Sequence, residues 1–271
     1  MITVTQNAAM TELCEAQPGR IGLVPTMGFL HQGHTSLMER LRPMVDTLVV
    51  SIFVNPLQFG PNEDLDRYPR DPVGDAEKCE AAGADVLFMP TDFYSEDFST
   101  QVSVARLTDR LCGANRPGHF DGVTTVVARL FGVTRCQAAC FGEKDYQQLA
   151  VIRRMVRDLA LPVEVVGAPL IRDSDGLALS SRNKYLSDRD RDRALSLHRA
   201  LFAMQAAHQA GQHDAAALLR LGTERLSADR VDYLEIVDAT SLLPISDVDR
   251  PARALVAAHF GATRLIDNIG L

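Results

Sequence analysis

Five short apolar runs, Ile21 to Val24, Thr47 to Val54, Val86 to Met89, Ala138 to Phe141 and Val163 to Val166, recur through the first 167 residues with helical patterns between them. Runs this short, apolar on consecutive residues, suit parallel strands covered on both faces. The intervening Thr35 to Arg42, Gly74 to Ala82, Gly122 to Gly132 and Tyr146 to Leu159 place apolar residues at spacings of three and four, as helices laid on a sheet require. A doubly wound α/β domain is therefore expected over residues 1–167. Past Gly167-Ala168-Pro169 the order changes to helices at Asp188 to Ala210 and Asp214 to Leu226, then strands near Val231 to Val237, Ala254 to Ala258 and Arg264 to Ile269. That reads as a smaller α+β domain, 168–271. Thr91 to Pro117 is too long for a simple connection and is expected to form an interface or lid.

In a doubly wound sheet ligands bind beyond the carboxyl ends of strands, and each chemical motif here follows a strand. Ile21 to His34 runs an apolar strand into a turn bracketed by Gly28 and Gly33, with Pro25 expected to stop the strand's ladder. The helix start that follows offers unpaired backbone N–H groups and a partial positive charge, and His31 and His34, at i and i+3, project toward one spot. Gly28-x4-Gly33-His34-Thr35 has the glycines and hydroxyl of a P-loop without its lysine, which argues for a different reaction at the phosphate chain. Read instead as H-x-G-H, the run matches the signature of adenylate-forming enzymes; the plain alternative is two ordinary helix-start histidines.

Three further clusters repeat the placement. Ser51 to Phe59 turns at Asn55-Pro56 and presents Asn55 and Gln58 at the sheet's rim, where neutral amides suit hydroxyl and carbonyl groups or else satisfy loop backbone. Phe141 to Gln148 joins a strand to a long helix; Gly142 permits close approach, Lys144 can neutralise phosphate, Asp145 can accept from ribose hydroxyls, and Gln148 lies one turn on. Ile171 to Asn183 carries Ser180, Ser181 and Arg182, two hydroxyls and a guanidinium suited to a triphosphate clamp or to a plain loop. The sign-alternating Arg189 to Arg193 reads as a solvated first helical turn with local pairs.

The formal net charge of −7 argues against a nucleic-acid partner or an anionic membrane surface, so any phosphate must be held locally. No apolar stretch approaches the ~20 residues that span a bilayer. The opening Met-Ile-Thr-Val-Thr-Gln lacks a basic region followed by an apolar segment, so no secretory leader is expected and the expected location is cytoplasmic. Cys14, Cys79, Cys112, Cys136 and Cys140, odd in number and scattered, read as free thiols buried by packing.

Over essentially its full length the chain resembles the pantothenate synthetases, the pantoate:β-alanine ligase family. The runs that carry the resemblance are Pro25-Thr26-Met27-Gly28 with His31 to His34, Ser51 to Gly60, Arg116 to Val123, Gly142 to Leu149, Asp175 to Asn183 and Thr263 to Asn268. Phe29, Gln32 and Thr35 depart from its usual pattern at positions that carry no chemistry. The resemblance implies a Rossmann-like ATP-binding domain, a C-terminal domain closing over it, a homodimer, and Mg²⁺ with ATP. It also implies an ATP site from Met27, Gly28, Phe29, Leu30, His31, Gln32, Gly33, His34, Gly142, Glu143, Lys144, Asp145, Ile171, Leu179, Ser180, Ser181 and Arg182. Gln58 and Gln148 would hold pantoate, Gln58 would also lie beside β-alanine, and His34 would be the proton donor. The catalytic set is then His34, His31, Lys144 and Arg182, with no protein metal site. The implied reaction is attack of pantoate's carboxylate on the α-phosphorus of ATP, release of pyrophosphate, and capture of the pantoyl adenylate by β-alanine to give pantothenate and AMP. His119 is left outside this site, and His198, His208, His213 and His259 read as structural. A nucleotidyltransferase would want cationic acceptor residues where Gln58 and Gln148 stand, and a nucleotide sensor would not need paired imidazoles.

Overall fold

A computed structural model describes residues 1–61 and 63–271. Six strands form one parallel sheet: β1 (Ile2–Val4), β2 (Ile21–Thr26), β3 (Thr47–Ile52), β4 (Val86–Phe88), β5 (Ala138–Gly142) and β6 (Glu164–Ala168), in the order β1-β4-β3-β2-β5-β6. Alternation along the strands explains the layers. Leu23, Val49, Ala139 and Phe141 face one side, under α1 (Asn7–Ala16), α5 (His119–Thr134) and α6 (Tyr146–Asp158). Val24, Leu48, Val50 and Cys140 face the other, under α2 (Gln32–Leu41) and α3 (Pro72–Ala81). The five cysteines are free and buried.

Three α/β expectations need correction. β1 and α1 stood outside the expected elements; three residues are too few for a periodic signal, and Ile2–Val4 are strand only because they pair with Val86–Phe88. Pro25 does not end β2, which continues to Thr26 in register with Ile52. The Thr26 carbonyl accepts from Phe53 N–H on the β3 side, so the Pro25 nitrogen turns toward β5, whose pairing with β2 covers only Gly22 and Leu23. No ladder bond is lost there. The Thr91 to Pro117 segment, expected as an interface or lid, is tied down and so not a lid: Phe93, Val104, Leu107 and Leu111 are buried, it contains the one-turn helix α4 (Cys112–Asn115), and buried Gln147 holds it through the Leu107 and Arg110 carbonyls and the Cys112 N–H.

The remaining residues build α7 (Asp188–Gln209), α8 (Ala215–Thr223) and an antiparallel sheet of β7 (Arg230–Asp238), β8 (Ala252–Phe260) and β9 (Thr263–Gly270). Ser187 and Asp214 cap the two helices through Asp190 N–H and the Ala216 and Ala217 N–H groups. One sheet face packs Ile236, Val256, Ala258 and Phe260 against α7 and α8, while Tyr233, Leu255 and Ala257 join the core of the first unit. The charged start of α7 pairs beyond itself: Arg191 reaches Asp173 and Asp175, and Arg193 reaches Asp229, which ties the helix to neighbouring loops.

Candidate active site

The strand order reverses between β2 and β5, and the loops leaving these two strands face each other across a crevice. A cavity of about 230 Å³ opens there. Its walls include Met27, His31, Gly33 and His34 from the β2–α2 turn, Asn55 and Gln58 after β3, and Gly142, Lys144, Asp145 and Gln148 after β5. Ile171, Leu179, Ser180, Ser181 and Arg182 complete it from beyond β6. Segments far apart in sequence thus meet on one space, and Arg182 faces the imidazoles' cavity rather than open solvent.

Gly28, Phe29, Leu30, Gln32 and Glu143, also expected at the nucleotide, are not on this wall. Gly28 and Phe29 turn the chain with φ of +83° and +52°. The N–H groups of Phe29 and Leu30 donate to the buried carboxylate of Asp75 at 2.7 and 2.6 Å. The helix start is likewise satisfied from within: His31 Nδ1 accepts from Gly33 N–H, and His34 Nδ1 accepts from His31 N–H. The expectation of free amides there is therefore narrowed to the Gln32 N–H, because histidine side chains and Asp75 already use those of Phe29, Leu30, His31 and Gly33. What the turn offers besides is two imidazole edges. With both Nδ1 atoms accepting, each neutral ring carries its proton on Nε2, and neither Nε2 has a partner among the described residues. The ring centroids are 4.1 Å apart.

Burial, reinforced by Lys144, pushes His31 down to about 4; burial, reinforced by His31 and then Lys144, pushes His34 down to about 3. Burial and then Arg116 hold His119 at about 4. Folding thus favours the neutral rings, a contribution complete above the ordinary value of 6.5 and lost as pH falls from there toward 4. Melting of the ligand-free chain should drop between about pH 6.5 and pH 5, and less in His34→Asn. Equal melting temperatures across that interval would contradict this.

The amides separate into two kinds. Asn55 is fully engaged: its Nδ2 donates to Gln58 Oε1 and the Gly122 carbonyl, both at 3.0 Å, and its Oδ1 accepts from Leu57 N–H and Tyr94 OH. Gln58 Nε2 meets only the Met27 sulfur, at 3.2 Å, and Gln148 has no side-chain partner among the described residues. Both remain able to bind a polar ligand. Gly122 sets Gln58's position, since a Cβ there would lie 2.3 Å from the Leu57 carbonyl oxygen and 2.6 Å from Gln58 N. If the cavity takes the hydroxy acid and the nucleotide that the sequence resemblance implies, Gly122→Ala is expected to displace the Pro56–Gln58 turn and raise KM for the acid about tenfold, with KM for the nucleotide little changed. Unchanged values for both would contradict it.

Cations are mostly shared with acids. Arg182 Nε and Nη2 pair with Asp64 at 3.2 and 2.8 Å, leaving Nη1 to the cavity. Arg116 forms a two-pronged pair with Glu63 and donates to His119 Nε2. Lys144 Nζ lies 3.7 Å from Asp145. His119, Arg116, Tyr68 and the apolar stripe Val123, Val126, Val127 and Leu130 are wall residues the sequence reading did not assign. Its signals were the Arg116 to Val123 run and a helical stripe that reads equally as core.

The family model for pantoate-beta-alanine ligase matches residues 2–270. A pantothenate synthetase of Geobacter sp. (strain M21) is 48% identical across 99% of this chain and 98% of its own length. The crystal structure of pantothenate synthetase from Thermus thermophilus superposes with a TM-score of 0.94 at 53% identity, covering 99% of both chains. The pantoate-beta-alanine ligase of Francisella tularensis, solved with beta-gamma ATP and β-alanine, superposes at 0.82 with 31% identity over 99% of this chain and 97% of that one. The match runs from the first strand to the last and includes every segment that lines the cavity: this chain belongs to the pantoate–β-alanine ligase family.

Proposed function

We propose that the chain joins (R)-pantoate to β-alanine with ATP, giving pantothenate, AMP and pyrophosphate through a pantoyl-adenylate intermediate. The observation that carries this reading is the convergence of His31, His34, Lys144, Ser180, Ser181 and Arg182 on the same cavity as the neutral amides of Gln58 and Gln148. The first group suits a triphosphate, the second a small hydroxy acid, and relatives named for this reaction supply the substrates.

In this reading the ATP site comprises Met27 to His34, Gly142 to Asp145, Ile171 and Leu179 to Arg182. Phe29, Leu30 and Glu143 contribute by shaping the backbone. Gln58 and Gln148 hold pantoate's oxygens, the Val123–Leu130 stripe takes its methyl groups, and β-alanine enters beside Gln58. Pantoate's carboxylate is ionised near neutral pH and attacks the α-phosphorus without a general base. The need is to offset charge growing on phosphate oxygens. His31 and His34 donate hydrogen bonds from Nε2, and Lys144 and Arg182 supply charge. With MgATP as the substrate, Mg²⁺ would add to the charge that Lys144 and Arg182 present to the phosphate oxygens. β-Alanine's amine then attacks the acyl carbon and AMP leaves.

Residues 168–271 act as the cover over residues 1–167, keeping water from the mixed anhydride. A cytoplasmic homodimer completes the proposal; no described helix is long and apolar enough to cross a membrane. The test is product analysis with ATP, pantoate and β-alanine together. Equal amounts of AMP and pantothenate are expected; ADP as product, or AMP formed without pantoate, would overturn the reading.

A further inference from the structure

Lys144 enters the cavity from a single 3₁₀ turn, Glu143–Asp145, between β5 and α6. The backbone of that turn is held from the other sheet. Asn268, buried on β9, donates from Nδ2 to the carbonyls of both Glu143 and Lys144, each at 2.9 Å. Its Oδ1 accepts from Arg253 Nη1 at 3.2 Å, so both sides of the amide are engaged. Arg253 also meets the Glu143 carboxylate at 3.2 Å and lies 4.1 Å from the centre of the Tyr146 ring. The adjacent Asp267 takes Arg172 through two bonds of 2.7 and 2.9 Å, beside the segment that carries Ile171.

We propose that Asn268 is the positioning residue for Lys144. One amide gripping two consecutive carbonyls fixes the peptide from which the lysine side chain departs. The ammonium's own contact, 3.7 Å from Asp145, is too loose to do so. Where the cavity's cation sits is then set by β9, so the second unit shapes the site as well as covering it. The inference rests on the reading of Lys144 as a phosphate partner.

A double-mutant cycle with Lys144→Ala tests it, read by pantoate-dependent pyrophosphate release. Asn268→Ala is expected to lower kcat about 30-fold with KM for pantoate within about twofold, yet to cost less than about twofold in the Lys144→Ala background. Asn268→Asp, which keeps the shape but replaces the donor with an acceptor, should behave like Asn268→Ala. Lys144 is one of three lysines, and Lys78 and Lys184 serve as internal references. Acetic anhydride labelling mapped by mass should accelerate at Lys144 alone in both Asn268 variants, a readout that needs no turnover. Multiplying losses in the double variant, or unchanged Lys144 labelling, would overturn the positioning role. Wild-type rates in Lys144→Ala would instead overturn the site reading beneath it.

Discussion

Lys144→Ala is expected to lower pantoate-dependent pyrophosphate release about 10²-fold or more while the fold persists. The magnitude follows from how little other free charge the cavity holds. His31 and His34, pushed down to about 4 and 3, offer hydrogen bonds but no net charge near neutrality. Arg182 is already paired with Asp64, and Arg116 with Glu63. Lys144 has one loose partner and a side chain 22% exposed, and among the described cavity residues it is the cation least committed elsewhere. Its side chain belongs to none of the buried hydrophobic clusters, so thermal unfolding should be close to wild type. Single-turnover measurement with pantoate separates this step from the later amide formation, and a near-wild-type rate would remove Lys144 from the mechanism.

Asp75→Ala should be the most damaging substitution outside the cavity wall. Asp75 is 1% exposed, and its carboxylate takes two backbone N–H groups at 2.7 and 2.6 Å from a turn about 45 residues earlier. That turn holds Phe29 at φ +52°, a conformation costing about 1 kcal/mol for a residue with a Cβ. Removing the acceptor leaves one buried and one half-buried donor unsatisfied, at about 3 kcal/mol together. It also frees the turn that aims His31, and a displacement near 1 Å there is worth about 10²-fold in adenylation. Urea unfolding and pyrophosphate release should therefore fall together. An Asp75→Ala protein as stable and as active as wild type would show that the turn holds itself.

Asp75 also marks what the sequence could not disclose. In Asp71-Pro72-Val73-Gly74-Asp75 it reads as one more acid in the first turn of a helix, and only the fold brings it under Phe29 and Leu30. Asn268 is similar: its partner's carbonyl lies 124 residues away in sequence. The strands of the parallel sheet were readable because burial on both faces leaves consecutive apolar residues, as at Leu48, Val49 and Val50 in β3. Ile2–Val4 was not, since three residues carry no period and their pairing with β4 is a long-range fact. Among candidate site residues, polar groups following strands were legible for the same topological reason that ligands bind there. Which of them stay free was not. Asn55 and Gln58 look alike in sequence, yet the first is consumed by Gly122, Leu57 and Tyr94 while the second lines the cavity with an NH₂ group committed only to the Met27 sulfur.

The claim on which the account stands is that pantoate is activated on its own, before the amine takes part. Pantoate-dependent exchange of labelled pyrophosphate into ATP, run without β-alanine, tests it most directly. The account predicts exchange that needs pantoate, is lost in Lys144→Ala, and does not wait for β-alanine. Exchange that begins only when β-alanine is added would contradict it.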